Sequence, residues 1–335
     1  MFIINHYPTA VIFCVITMLC WGSWANTQKL AAKQWRFELF YWDYVIGILI
    51  TAFLFAISLG SIGTEGRSFI DDVSQADGKF IGSALIGGII FNAANILLVA
   101  AISISGMAVA FPVGIGIALI LGVVVNYIAN PLGDSSLIFS GVSLIVVAIL
   151  MNAYAYRRSA NSNADASENV SVKGLMLSIV AGILMGFFYK YVATSMFPDF
   201  QFPEPGKLSP YTAVLFFSLG ILLSNVIFNT VLMKRPFTGS PVTYRQYFEG
   251  GMRNHVMGIL GGAIWCVGMS FSILASDKAG PAISYGLGQG ATVVAAIWGI
   301  FIWKEFQAAP KGTSVLLAGM LLCYVIGLAL LIVAR

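Results

Sequence analysis

A chain of 335 residues that is 59% hydrophobic and 10% charged, with a mean hydropathy of +0.88, lies outside the composition of soluble globular domains and reads as an integral membrane protein. Its formal charge of +4 sits in loops, not on a soluble basic face, and no phosphate-binding loop or metal-ligand spacing is present. These features exclude a nucleic-acid partner, a metal site, a cofactor and an ATP motor within the chain, and runs that are apolar all round exclude a transmembrane barrel.

What remains is an all-α, polytopic bundle. A hydrocarbon core about 30 Å thick takes roughly 20 residues of helix. Ten such runs follow, at 9–28, 37–60, 80–103, 106–128, 136–156, 174–197, 210–233, 255–276, 280–303 and 312–334. The first ends in "LCWGSWANTQK" (19–29), where Trp21, Trp24 and Gln28 recur at helical spacing beside Asn26. That pattern fits a helix finishing beside a solvated cavity; for Trp24 the competing reading is an interfacial anchor. The second span holds Asp43 two turns inside its end. A short carboxylate there is a candidate proton-coupling group, or else an interfacial hydrogen-bonded Asp.

Gly88, Asn92 and Asn95 share one face of the third span. The fourth contains "PVGIGIA" (112–118), where glycine at alternate positions thins the backbone and invites a bend, and it carries Asn126 late. The fifth runs into "RRSANSNADASENVSVK" (157–173), whose composition reads as a flexible linker. Lys190, an intramembrane charge in the sixth, can snorkel outward. Trp265 lies in the eighth, and the ninth carries "SYGLGQGA" (284–291), with Tyr285, Gln289 and Thr292 on one face. For each Asn and Gln the competing reading is a hydrogen bond between helices.

The linker separates 1–156 from 174–335, five spans each. A shift of 174 positions superposes Gly87 and Gly88 on Gly261 and Gly262, Phe91 on Trp265, Gly106 on Gly280, and Gly114 and Gly116 on Gly288 and Gly290. A weaker match sets Gly22 on Gly186 and Asn26 on Lys190. A unit with an odd number of crossings places its second copy upside down, so the expectation is two inverted repeats with a site at their interface, the architecture of secondary transporters. Twelve of the eighteen Lys and Arg border one side and five the other, with Lys190 inside a span. The positive-inside rule then puts both termini outside a cell (plasma or inner) membrane.

"LCWGSW" in the first span, "QWRFELFYWDY" (34–44) entering the second and the five-plus-five architecture resemble the drug/metabolite transporter superfamily. Within it the chain is most similar to the branch of glucose/ribose porters, rhamnose/proton symporters and ureide permeases. "WGS" (21–23) resembles the sugar porters, and "WDY" (42–44) resembles the Leu-Asp-Tyr of ureide permeases. "WRFE" (35–38) is similar to the Trp-x-Trp-Glu of rhamnose symporters, with Phe37 in place of the second Trp. The resemblance implies uptake of a small polar organic solute by proton symport through alternating access.

Aromatic faces beside amides that both donate and accept suit a neutral solute rich in hydroxyls or amides. The expected function is therefore proton-coupled uptake of a monosaccharide or sugar-like compound, or of a ureide or nucleobase; a drug or metabolite exporter of the same superfamily is the alternative. Trp21, Trp24, Asn26, Asn92, Asn95, Asn126, Trp265, Tyr285 and Gln289 are the solute-binding candidates and Asp43 the proton-coupling one. The partners are the solute, the proton and the lipid bilayer; oligomeric state leaves no mark in the sequence. Catalysis is disfavoured, because His6 and His255 fall near span ends and no HExxH or pair of deep acids occurs. No ring of charge or filter-like loop points to a channel.

Overall fold

The computed structural model describes residues 1–32, 35–105, 107–161, 171–304, 306 and 309–335. Among the described residues every regular element is a helix, and ten stretches are long and apolar enough to cross a bilayer. In lipid the helix is the element that satisfies its own backbone, and runs of Ile, Leu, Val, Phe and Ala leave it no reason to end before the polar loops. The first half comprises α1 (Tyr7–Ser23), its short continuation α2 (Asn26–Leu30), α3 (Phe37–Ile57), the loop helix α4 (Phe69–Gln75), α5 (Gly78–Ser105), α6 (Met107–Ala129) and α7 (Ser135–Asn161). The second comprises α8 (Val172–Ser195), α9 (Pro210–Lys234), the loop helix α10 (Tyr244–Phe248), α11 (Met252–Ala279), α12 (Pro281–Gly288), α13 (Ala291–Ile297) with a π-helical turn at Trp298–Ile302, and α14 (Thr313–Val333).

Two local expectations change, at the linker and at Pro112. Arg157 and Arg158 continue α7 and Lys173 belongs to α8, so the helices take up both ends of the expected linker; its central residues 162–170 lie outside the described residues, as do Lys33 and Gly106. The ninth span breaks at Gln289 and Gly290, between α12 and α13, whereas α6 runs unbroken through Pro112. Pro112 falls within the first two turns of α6, where few preceding helical bonds are at stake. At the entry to α12, Gly280 takes φ 81°, a left-handed conformation that favours glycine and reverses the chain after α11.

Between spans that are not consecutive in the chain, the principal contacts join α5 to α8 and α9, α11 to α1 and α3, α6 to α8, α13 to α1, α7 to α14, α3 to α9 and α12 to α6. Exchanging each span with the one five places along maps this set of pairs onto itself. The closest crossings repeat in the same way. A Cβ on Gly88 would lie 2.0 Å from the Phe217 carbonyl of α9, and a Cβ on Gly262 would lie 1.9 Å from the Tyr44 carbonyl of α3. Gly220 and Gly47, on those partner helices, meet the Leu85 and Ile259 carbonyls at 2.2 Å by the same measure. Backbone therefore touches backbone at both crossings, as small residues permit in lipid.

Both termini lie at one end of the bundle, where Tyr7 Oη donates to the Ile332 carbonyl at 2.5 Å and Asp134 N to the Ala334 carbonyl at 2.7 Å. There Arg67 pairs with the buried Asp72 at 3.0 Å and donates to the Glu204 carbonyl. The opposite, basic end is laced by Arg36, which pairs with Glu38 and donates to the Thr238 and Ser240 carbonyls, by Arg253 donating to the Leu30 carbonyl, and by Arg158 donating to the Lys311 carbonyl.

Replacing Gly262 by Ala forces α11 away from α3 and is expected to cost about 1–3 kcal/mol. Gly82 of α5 has open space around it, so Gly82→Ala should be neutral or stabilising by up to about 1 kcal/mol. Thermal unfolding of the two purified variants in detergent measures the contrast.

Candidate solute chamber

The end of α1, α2 and the broken ninth span face α5, α7, α8 and α11 across a cavity of about 250 Å³. It runs from mid-bundle, at Trp21, Phe91, Trp265 and Gln289, to the basic end, at Lys29, Tyr156 and Trp303. Trp21 and Trp265 stack with centroids 5.9 Å apart and planes 15° apart, and Trp21 Nε1 donates to the Trp265 carbonyl at 3.2 Å. Gly268 and Gly288 make the slot for the Trp21 ring, since a Cβ on either would come within 2.8 Å of it. Phe91 packs 4.5 Å from Trp265, and Trp24 lies 4.6 Å from Tyr44.

Six of the nine solute-binding candidates line this cavity: Trp21, Trp24, Asn26, Asn95, Trp265 and Gln289. Asn95 gives its Nδ2 to Tyr41 Oη at 3.1 Å, and among the described residues no donor reaches its carbonyl oxygen. Gln289, at the helix break, forms no side-chain hydrogen bond among the described residues. Asn26 instead closes the edge between α2 and the ninth span: its Oδ1 accepts from Trp303 Nε1 at 2.7 Å, while Ser23 Oγ accepts from Trp298 Nε1 at 2.9 Å and Lys29 Nζ stands 4.8 Å over the Trp303 ring.

The other three lie off the wall. Asn92 bridges α3 and α9, accepting from Tyr41 Oη and donating to Ser224 Oγ, both at 2.9 Å. Asn126 donates to the Gly122 carbonyl of its own helix at 2.7 Å. Tyr285 is fully buried in a notch beside Gly122, and its hydroxyl lies 3.1 Å from the Met185 carbonyl and 3.2 Å from that of Ala118. Lys190 is exposed on the outside of α8, in surroundings unlike those of Asn26.

Asp43 also stands outside the chamber, where the bare backbone of Gly258 on α11 admits it. Its Oδ1 accepts from Tyr247 Oη of α10 at 2.6 Å, and His255 Nδ1 lies 3.0 Å from both carboxylate oxygens. The Asp43 side chain is 3% exposed and that of His255 21%; Trp35 meets the imidazole edge-on at 5.3 Å. This pairing escapes the sequence, in which His255 is only a histidine near a span end. Burial, with the adjacent Asp43 carboxylate, pushes the Tyr247 phenol above its ordinary value of 10.0. Asn152, Tyr156, Trp298 and Trp303 are further wall residues that sequence reasoning missed. Asn152 and Tyr156, four apart on α7, form the kind of one-face stripe that exposed Asn92 and Asn95.

The family model for ureide permeases matches residues 40–173 and 164–334. Ureide permease 1 of Arabidopsis thaliana is 21% identical over 99% of this chain and 98% of its own, and ureide permease 5 of the same plant is 23% identical over 98% and 95%. A Streptococcus pyogenes serotype M1 protein named for sugar uptake is 20% identical over 97% of this chain and 99% of its own. A solved crystal structure with a TM-score of 0.60 at 15% identity, covering 96% of both chains, shares the fold.

Because the folded protein holds the Tyr247 proton more tightly than the unfolded chain does, stability from this group is present below about pH 10 and declines as the pH rises beyond it. Tyr247→Phe should remove that component. Melting curves between pH 9 and about 11 for both proteins check it, the difference between them cancelling the lysines.

Proposed function

The chain belongs to the ureide permease family, and from that premise we propose that it moves a small neutral solute with amide edges, a ureide or nucleobase, across the membrane by proton-coupled alternating access. Membership makes it a multi-pass transporter of small solutes and not an enzyme. The observation that carries the finer reading is the chamber itself: stacked Trp21 and Trp265 offer aromatic faces, while the Asn95 oxygen and the Gln289 amide await partners. At about 250 Å³ it is smaller than most ligand pockets, which run from about 300 Å³ upward, and that suits a single ring. A monosaccharide is the second reading, favoured because indole faces also suit the C–H faces of a sugar.

Residues 1–156 and 174–335 act as inverted repeats in this proposal, joined through 157–173. The self-mapping helix pairs and the matched glycine crossings support it. So does the wall, which combines repeat-related positions: Phe91 with Trp265, Ile115 with Gln289, Trp21 with Met185 and Trp24 with Phe188. Trp21, Trp24, Asn95, Trp265 and Gln289 contact the solute. Asn26 closes the edge of the mouth, and Asn92, Asn126 and Tyr285 hold the surrounding helices. The charge bias favours a cytoplasmic basic end and outside termini, which makes this an inward-facing conformation.

The proton binds Asp43. An ionised Asp43 accepts from Tyr247 Oη and stands 3.0 Å from His255 Nδ1, clamping α3 to α10 and α11. Protonation of the carboxylate weakens those contacts and frees α3, whose Tyr41 and Tyr44 back the chamber through Asn95 and Trp24. Coupling requires that proton and solute each shift the same equilibrium between conformations.

A thermal-shift screen of the purified protein against allantoin, uracil and glucose identifies the solute, since a ligand of the folded state raises its stability. In proteoliposomes, Asp43→Asn should abolish accumulation driven by a pH gradient while retaining solute exchange between equal pools. Gradient-driven accumulation surviving in that variant removes Asp43 from the mechanism.

A further inference from the structure

Among the described residues Asn152 is the chamber-lining residue that has a fully enclosed side-chain polar atom without a hydrogen-bond partner. The other enclosed amide oxygens lacking donors, on Asn126, Asn225 and Asn229, lie away from the wall. Asn152 sits on α7, a peripheral helix whose outward face is marked by the exposed Val147, Leu150 and Tyr154. It is 9% exposed and lines the chamber, its Oδ1 enclosed.

An amide in such a place has two common ways to be satisfied. It can donate back to its own helix, as Asn126 does to Gly122, or bridge to a neighbour, as Asn92 does to Ser224. Asn152 shows neither bond among the described residues, and its enclosed Oδ1 has no hydrogen-bond partner. A leucine of similar size would fit an apolar helix better, so the amide has a purpose other than packing. We infer that Asn152 is a specificity-determining residue of the chamber, pairing with the adjacent N–H and C=O of a cyclic amide or urea. This rests on the reading of the chamber as the solute site.

The chemistry of the group supports that role. A primary amide presents a donor and an acceptor side by side, which matches both points of a cis-amide edge, whereas a hydroxyl engages one of them. The terminal torsion of Asn is broad and two-fold, so the amide can turn either atom toward the arriving solute. With the Asn95 oxygen on α5 and the Gln289 amide at the break of the ninth span, three groups without hydrogen-bond partners among the described residues line the chamber.

The test uses the full-length protein in detergent, with uracil and 1,3-dimethyluracil as probes and Asn152→Leu as the variant. Without ligand, Asn152→Leu should melt at the same temperature as the parent or roughly 2 °C higher, because an unpaired buried amide is gone. The parent should prefer uracil over its dimethyl analogue, and the variant should bind uracil at least tenfold more weakly and lose that preference. A variant that melts lower or fails to fold overturns the inference, since Asn152 would then be a packing residue. Unchanged uracil affinity and selectivity overturn it as well. If the parent binds neither probe, the proposed solute class falls, while the ligand-free melting comparison still decides whether Asn152 is kept at a cost in stability.

Discussion

Lipid gives helices no hydrophobic reason to associate, so this bundle depends on how closely bare backbone can approach bare backbone. Gly88 against the Phe217 carbonyl and Gly262 against the Tyr44 carbonyl set that approach, with Gly220 and Gly47 completing the two crossings from the other side. Once α5 lies on α9 and α11 on α3, the aromatic residues beside these glycines have few places to go. Phe91 and Trp265, each three residues past its glycine, are carried to mid-bundle and pack on one another. The chamber floor is thus a consequence of the same contacts that hold the halves together.

Polar side chains then divide by whether the fold uses them up. Tyr41, Asn92 and Ser224 form a buried chain between α3, α5 and α9, and the Tyr285 hydroxyl reaches backbone carbonyls of α6 and α8; these groups are spent on position. Among the described residues Asn95 uses only its amide nitrogen, and Gln289 and Asn152 make no side-chain hydrogen bond, yet all three line the chamber. An enclosed amide oxygen with no donor costs on the order of 1–3 kcal/mol, and among the described residues the one at this cavity is on Asn152, those of Asn126, Asn225 and Asn229 lying away from its wall.

The spans were legible because unbroken apolar runs of about 20 residues admit one structure in lipid. The loop helices α4 and α10 were not, since five to seven amphipathic residues in a polar connection carry no periodic signal long enough to read. The repeat superposes Gly88 on Gly262 in sequence, but it does not say which helix each one meets. Asn92 and Asn95 look alike in sequence, three residues apart on one face, and differ only because Ser224 stands near the first. Asp43 and His255 are separated by 212 positions, and no local pattern links them. Tertiary partners decide these cases, and a single sequence does not display them.

Two kinds of interaction separate the chamber from the end of the bundle that carries the termini, and they differ in what parting them costs. At the end carrying the termini, Tyr189, Ser272 and Ser284 share hydroxyl contacts of 3.1 to 3.4 Å, with Cys14 against Ser284. These four residues come from α8, α11, α12 and α1, so both halves of the chain meet there. A hydroxyl pair traded for water costs little, about 0.5–1.5 kcal/mol net per bond. The Trp21–Trp265 stack at the floor has no such exchange, because parting it exposes aromatic surface. A cycle that parts the hydroxyl cluster and leaves the aromatic floor intact opens the sealed end for the smaller cost.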